Sequence, residues 1–411
     1  MKVLVSAYAC EPGKGSEPEV GWRWAREMAG EHEVVVLTRA NNKDVIQSYT
    51  ETHSEEFRNI RFVYFDLNDQ LLKWKKLFGA HQLYYVLWQR KARKTIDRLL
   101  DEEDFDLVHL VTFASFRYPV FLGHLKVPVV WGPVGGGETA PWRLLLYRIR
   151  FPACIKEIAR NFGTYFSSLM VRWIDPTQTS GGRVIASTPA TRKILMKRGI
   201  EAKLLPTIGV DVDESTERVG MPLLSEGIRF IFVGRLVLLK GAHLLIEAFA
   251  EARIPDASVT LVGDGSERGD LESLARKLGI DKQLHFLGQV AKEDLPALYA
   301  SHHVVVAPSL YESGGYMVLE GFQQARPSIV LDVGGLSMSV DSRCGIKVPQ
   351  GSGDEVVEGL AAAMRHYAEH PELIGLHGRN GLEKLRKVYD WAEKGRRMAQ
   401  IYDEASKRGM R

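Results

Sequence analysis

Glu312 and Glu320 stand eight positions apart in the segment Pro308-Ser309-Leu310-Tyr311-Glu312-Ser313-Gly314-Gly315-Tyr316-Met317-Val318-Leu319-Glu320. The segment follows a continuous apolar run, Val304-Val305-Val306-Ala307, and leads into Val318, Leu319, Phe322 and Ala325 at helical spacing. The chain therefore reads as strand, glycine loop, helix, with one acid on the loop and the other in the first helical turn. Such a turn points backbone N–H groups and two carboxylates at one crevice, which suits a ligand carrying a diphosphate and many hydroxyls. An ionised carboxylate only accepts hydrogen bonds, and a ribose diol offers two donors. For Glu320 a plainer role, a favourable negative charge at a helix N-terminus, is compatible with the first.

A second loop supplies the opposite charge. In Phe232-Val233-Gly234-Arg235-Leu236-Val237-Leu238-Leu239-Lys240-Gly241 a strand ends at Val233 and a helix begins near Ala242. Arg235 and Lys240 beside a helix N-terminus form a device for holding a diphosphate and neutralising it as it departs. Taken alone, both cations are equally consistent with solvated surface residues. Leu261-Val262-Gly263-Asp264-Gly265-Ser266 and Phe286-Leu287-Gly288-Gln289-Val290 are two further strand ends with glycine turns. Gly263, Gly265 and Val290 either flank a nucleoside or only make the turns.

The elements that must position these residues alternate along the whole chain. Strands are expected at 2–8, 33–38, 61–65, 106–111, 127–131 and 183–187, and helices at 19–30, 42–52, 83–100 and 189–198. The pattern restarts with strands at 228–233, 257–262, 283–287, 303–307 and 328–331, and helices at 241–252, 267–278, 293–300, 316–325 and 354–368. This alternation predicts an α/β fold of two Rossmann-like, doubly wound parallel sheets facing across a cleft. The expected boundaries are 1–208 for the first domain, 209–385 for the second and 386–411 for terminal helices. The stripe Tyr389, Trp391, Met398, Ile401 either covers a solvated helix or braces the first domain.

Totals bound the rest. A chain of 411 residues exceeds one ordinary core. A net charge of +3 is too small to argue for nucleic acid. Cys10, Cys154 and Cys344 lie far apart and build neither a metal set nor a disulfide framework, which fits a reducing cytoplasm. The start, Met1-Lys2-Val3-Leu4-Val5-Ser6, reads as a strand rather than a signal peptide, and no apolar run is long enough to span a membrane.

As a set, Gly234-Arg235 with Lys240-Gly241, Val262-Gly263-Asp264-Gly265, Phe286-Leu287-Gly288, and Pro308-Ser309 followed by the Glu312/Glu320 pair resemble the family 4 retaining glycosyltransferases of GT-B architecture. The resemblance covers about 150 residues of the second half strongly and the first half more loosely. It implies that Arg235 and Lys240 hold the donor diphosphate and that Glu312 meets the donor sugar. Amides around Gly314, Gly315, Tyr316 and Met317 would meet sugar or phosphate, and Glu320 the ribose. It implies hexose transfer from a UDP- or GDP-sugar to a glycan or lipid-linked glycan, with no metal and no cofactor beyond that donor. Glu11-Pro12-Gly13-Lys14-Gly15-Ser16-Glu17 resembles the family's N-terminal glycine loop, with Gly15 near the phosphates. Gly135, Gly136, Gly137 and Glu138 follow another strand, and Gly136 and Glu138 are read as acceptor-side residues.

One departure qualifies the match. Many relatives carry a histidine where this chain has Val111, so that role is not carried over, and Thr112 and Arg117 are read as lining the same place. His109 is read as a structural histidine. The substitution leaves open a nucleotide-sugar sensor or scaffold without catalysis, and an epimerase or phosphorylase on this architecture is a further alternative. Finally, residues 71–100 hold eight Lys/Arg against one acid and residues 142–173 six against one, both with many aromatics. Either these stretches rest on an anionic membrane surface at the inner face of the cell, or their aromatics fill a core while the cations stay wet.

Overall fold

The computed structural model describes residues 1–68, 70–71, 81–147, 153–177, 181–212 and 227–409. They form two compact units. The first comprises Met1–Gly137, Thr164–Gly209 and Trp391–Arg411, and the second Glu138–Gly163 and Val210–Asp390.

The first unit is built on seven parallel strands in the order β3-β2-β1-β4-β5-β6-β7. These are β1 Lys2–Ser6, β2 Glu33–Thr38, β3 Ile60–Tyr64, β4 Leu107–Leu110, β5 Val129–Val134, β6 Arg183–Ala186 and β7 Ala202–Leu204. The central strands are apolar at nearly every position because both faces are covered, as a parallel sheet requires. Strand order reverses direction between β1 and β4, which pair directly, Val3 beside Leu107 and Ser6 beside Leu110. Helix Ser16–Ala29 follows β1, and the terminal helix Trp391–Gly409 packs on it and on β4 and β5. The stripe of that terminal segment is buried: Trp391 meets Trp24 edge-on at 5.4 Å, and Met398 and Ile401 are in the core.

The second unit repeats the plan with six parallel strands in the order β10-β9-β8-β11-β12-β13. They are β8 Arg229–Val233, β9 Ser258–Val262, β10 Leu284–Gly288, β11 Val304–Ala307, β12 Ser328–Leu331 and β13 Gly345–Val348. Here the reversal lies between β8 and β11, paired as Phe230 with Val304 and Ile231 with Val305. Ligands of open α/β sheets bind at such a reversal, beyond the carboxyl ends of the strands.

Besides the unanticipated helix Glu372–Lys384, three further features differ from the expected elements. The edge strands β7 and β13 were not anticipated, because they are short and carry Lys203 and Lys347 among few apolar residues. Helix Ala153–Ile174 was not anticipated either, and it begins in the second unit and ends in the first. Residues 138–163, expected with the first domain, group with the second unit. Tyr147 donates to Glu247 at 2.9 Å and to Asp354 at 3.1 Å, and Arg160 lies over the Tyr311 ring.

The two basic stretches also separate. Of the aromatics in 71–100, Tyr84, Tyr85 and Trp88 fill the core of the first unit, so for them the core reading holds and the surface reading is corrected. Trp74 and Phe78 lie outside the described residues. In 142–173 the aromatics Trp142, Phe162, Tyr165 and Phe166 are exposed. Among the described residues no helix is long and apolar enough to cross a membrane.

Candidate active site

In the second unit the loops after β8 and β11 flank the reversal point and are stitched together. The Leu310 amide donates to the Leu239 carbonyl at 2.8 Å. Gly241, at φ 68°, caps the helix Ala242–Ala252, and a Cβ there would stand 2.1 Å from the Pro308 carbonyl oxygen. Only glycine fits such a close, left-handed approach. This contact carries Lys240 to Glu312, and the two side chains form an ion pair with both partners largely shielded. The other carboxylate oxygen of Glu312 accepts from the amide of Gly315 at 3.2 Å, with Gly314 at 3.4 Å. Gly315, at φ 82°, caps the helix Tyr316–Gln323. Two helix N-termini, at Ala242 and Tyr316, thus open at one place beside a fixed ammonium and a fixed carboxylate, an arrangement suited to an anion next to hydroxyls.

A third loop joins them. Gly335 donates its amide to the Glu312 carbonyl at 2.8 Å, and a Cβ on Gly334 would lie 2.0 Å from that oxygen. The same position would be 3.3 Å from Cγ of Glu138, so this buried acid stands beside the Glu312 loop within the second unit. Tyr316 is half-buried and Met317 is buried, directed toward Gly234. Arg235 is exposed at the end of β8.

Glu320 lies one helical turn deeper, where Tyr299 donates to its Oε2 at 2.7 Å. Burial pushes the Glu320 carboxyl above its usual range, and the Tyr299 bond opposes the shift. Gly263 and Gly265 have a packing cause: a Cβ would stand 2.1 Å from the Gly234 carbonyl oxygen and 2.3 Å from that of Leu236. Gly263 also donates to the Gly288 carbonyl at 2.7 Å, which brings the loop of Val290 alongside.

In the first unit the corresponding reversal point gathers the other predicted residues. Gly15, at φ 70°, precedes helix Ser16–Ala29. Thr112 is fully buried, and its hydroxyl accepts from the Ala9 amide at 3.0 Å, so its side chain supports the loop instead of facing a ligand. Glu17 accepts from the Phe113 amide at 3.2 Å, and burial raises its carboxyl pKa. Arg117 donates through Nε to the Gly136 carbonyl at 3.0 Å, which joins two of the residues read as acceptor-side. His109 is wholly buried between the Tyr402 hydroxyl and the Gly132 carbonyl, each at 2.6 Å, and burial pulls its pKa down to about 4. Val111 is buried at the end of β4.

Sequence reasoning missed Tyr299 and Glu17. Tyr299 stood in an apolar helical run with nothing to separate it from core. Glu17 was one of three acids in its loop, and only the fold shows which one turns inward.

Residues 214–380 match the family described as glycosyl transferases group 1. The D-inositol 3-phosphate glycosyltransferase of Corynebacterium kroppenstedtii is 29% identical over 215 residues, 48% of this chain and 45% of that protein. The D-rhamnosyltransferase WbpZ of Pseudomonas aeruginosa is 31% identical over 219 residues, 50% of this chain and 55% of that one. The chain thus spans about half the length of the curated relatives it matches. The sucrose-phosphate synthase from Thermosynechococcus elongatus has a similar structure, with a TM-score of 0.61 at 19% identity over 98% of both chains. At that identity the likeness is one of fold, and the fold is GT-B.

Proposed function

We propose that this chain, which has the GT-B fold and carries a group 1 glycosyltransferase domain over residues 214–380, is a retaining hexosyltransferase. The donor is a UDP- or GDP-sugar, and the acceptor a glycan or lipid-linked glycan in cell-surface polysaccharide or glycolipid synthesis. The observation that carries this reading is the Lys240–Glu312 pair held between two helix N-termini at the β8/β11 reversal.

The chemistry follows from charge. As the bond from the anomeric carbon to the β-phosphate breaks, negative charge grows on the diphosphate. Lys240, Arg235 and the amides at Ala242 and Tyr316 meet it, a role that needs no metal. The acceptor oxygen bonds the anomeric carbon on the same face, and its proton passes to the departing phosphate. Glu312, locked by Lys240 and the Gly315 amide, is presented to the sugar hydroxyls rather than poised as a mobile base. Glu320 accepts from the ribose diol through the oxygen that Tyr299 leaves available. Glu138, next to Gly334, serves the acceptor side, with Arg117 and Gly136 as further acceptor-side residues in the first unit. The protein works as a peripheral protein at the cytoplasmic face of the membrane.

The test is transfer itself, with a panel of nucleotide-sugars and lipid-extracted acceptors. Glu312→Gln and Lys240→Ala should each lower transfer by about tenfold or more, since each removes a charge at the reacting centre. Near-normal rates in both overturn the site, and donor binding without any turnover by the unaltered protein would instead make it a sensor.

A further inference from the structure

The loop that carries Glu312 is tied to a segment from the other half of the sequence. Residues 138–163 belong to the second unit, and within it they reach this loop at two points. At the first, the guanidinium carbon of Arg160 lies 3.6 Å from the centre of the Tyr311 ring, on the residue before Glu312. At that distance the cation is in van der Waals contact with the ring face as well as attracted to it. At the second, Glu138 stands beside Gly334: a Cβ on that glycine would lie 3.3 Å from its Cγ. The next residue, Gly335, donates to the Glu312 carbonyl at 2.8 Å. Asn161 links the two points. It follows Arg160 in the chain, donates to the Ala140 carbonyl at 2.9 Å and accepts from the Ala140 amide at 3.2 Å. The contacts therefore close a circuit that leaves the Glu312 loop at Tyr311 and returns to it through Gly334.

Position, more than stability, is what this circuit supplies. Arg160 is paired with Glu157, and both Glu157 and Asn161 are buried. Taking two charges out of water costs about what their attraction returns, so such a pair adds little net stability. Its effect is to fix the guanidinium in one place. On the Glu312 loop, Lys240 and the Gly315 amide hold the carboxylate, and the Leu239 carbonyl holds the chain at Leu310. Tyr311 lies between these points, and Arg160 covers its ring. We infer that Arg160 is a positioning residue for Glu312: acting through Tyr311, it keeps the loop where the carboxylate meets the donor sugar. The inference rests on the reading of Glu312 as the sugar contact. It divides the donor in two. The diphosphate is held by Lys240 and the helix N-termini without help from 138–163, whereas the hold on the sugar depends on that segment.

Hydrogen exchange and donor binding in the full chain test this with three variants. Arg160→Met removes the cation. Tyr311→Leu removes the ring and leaves the Arg160–Glu157 pair in place, so it carries the test if the first variant does not fold. Tyr311→Phe keeps the ring. In the ligand-free protein, exchange of the amides of 311–316 should rise in Arg160→Met and Tyr311→Leu and stay at the unaltered level in Tyr311→Phe, with β8 and β11 protected as before. The rate constant kcat for transfer should fall about tenfold or more in the first two variants, because a small displacement of a positioned group costs at least that much. Calorimetric affinity for the free nucleoside diphosphate should not change, and the nucleotide-sugar should lose its advantage over it. Unchanged exchange at 311–316 in both variants overturns the inference. So does a loss of diphosphate affinity equal to the loss of kcat, the mark of a site that has merely loosened, or a Tyr311→Phe variant as impaired as Tyr311→Leu. Exchange needs no donor. A loop that loosens in the two variants, in a protein whose unaltered form transfers no sugar, would support the positioning and overturn the transferase reading alone.

Discussion

Tyr299→Phe removes one oxygen, and its consequence can be worked through. The hydroxyl is buried and donates at 2.7 Å to Oε2 of Glu320, which fixes that carboxylate and leaves Oε1 for a diol. A hydrogen bond to a charged group contributes about 1.5–3 kcal/mol. The lower end applies, because Glu320 retains partial solvent access, so nucleotide affinity should fall by about tenfold. The bond also opposes the burial that raises the Glu320 carboxyl pKa, so the variant's carboxyl should titrate still higher. Diol binding needs the ionised acid, so the pH below which binding fails moves upward in the variant. Calorimetric titration of a nucleoside diphosphate and its 2′-deoxy and 3′-deoxy analogues is the assay. The unaltered protein should prefer the ribose form, and the variant should lose most of that preference. A variant that keeps the full ribose preference and an unmoved acid limb refutes the assignment of Glu320 to the ribose and of Tyr299 as its positioning partner.

Gly241→Ala should cost about 1–2 kcal/mol for a left-handed backbone alone, and the 2.1 Å approach to Pro308 must open as well. A lowered Tm with nucleotide stabilisation lost should result, and a variant with unchanged nucleotide binding would show that the loop contact does not set the site. His109 has a folded pKa of about 4 against an ordinary 6.5, so the native state binds fewer protons between those values; its contribution is present above pH 6.5 and is lost as pH falls toward 4, worth about 3 kcal/mol. Tm measured across that window should drop, and His109→Gln should flatten the drop. Lys394 is wholly buried, with Nζ on the carbonyls of Pro206 (2.6 Å) and Ile208 (2.7 Å) and over the rings of Trp24 and Trp391. Lys394→Met strands those carbonyls and should destabilise by about 2–4 kcal/mol, with hydrogen exchange rising first in 391–409; uniform exchange across the first unit would contradict this clamp.

Much of the site was legible because its signals are local. The Lys240 and Glu312 loops each sit at a strand-to-helix turn, and apolar runs such as Val304–Ala307 identify buried parallel strands without any long-range information. What brings the loops together, the Gly241 approach to Pro308, was visible only as a glycine. The functions assigned to Gly263 and Gly265 were harder to read, since each packs on a carbonyl of the neighbouring loop and that need leaves the same mark on a sequence as ligand contact. Thr112 turned inward to the Ala9 amide across more than a hundred positions, and no pattern near residue 112 announces it. The facing of helix Ala153–Ile174 was hidden for a related reason. Its period is ordinary, but periodicity tells which residues share a face, not which face is buried, and here Asn161 and Glu157 took the interior.

The central claim is that the Lys240–Glu312 crevice holds the diphosphate and sugar of a nucleotide-sugar. A thermal-shift panel of nucleotide-sugars and free nucleoside diphosphates, run on the unaltered protein and on Lys240→Ala, tests it most directly. One base series should raise Tm in the unaltered protein, with the diphosphate alone retaining most of the effect, and Lys240→Ala should abolish the shift while its own Tm stays within a few degrees. A shift of equal size in Lys240→Ala, or none with any nucleotide in the unaltered protein, would contradict it.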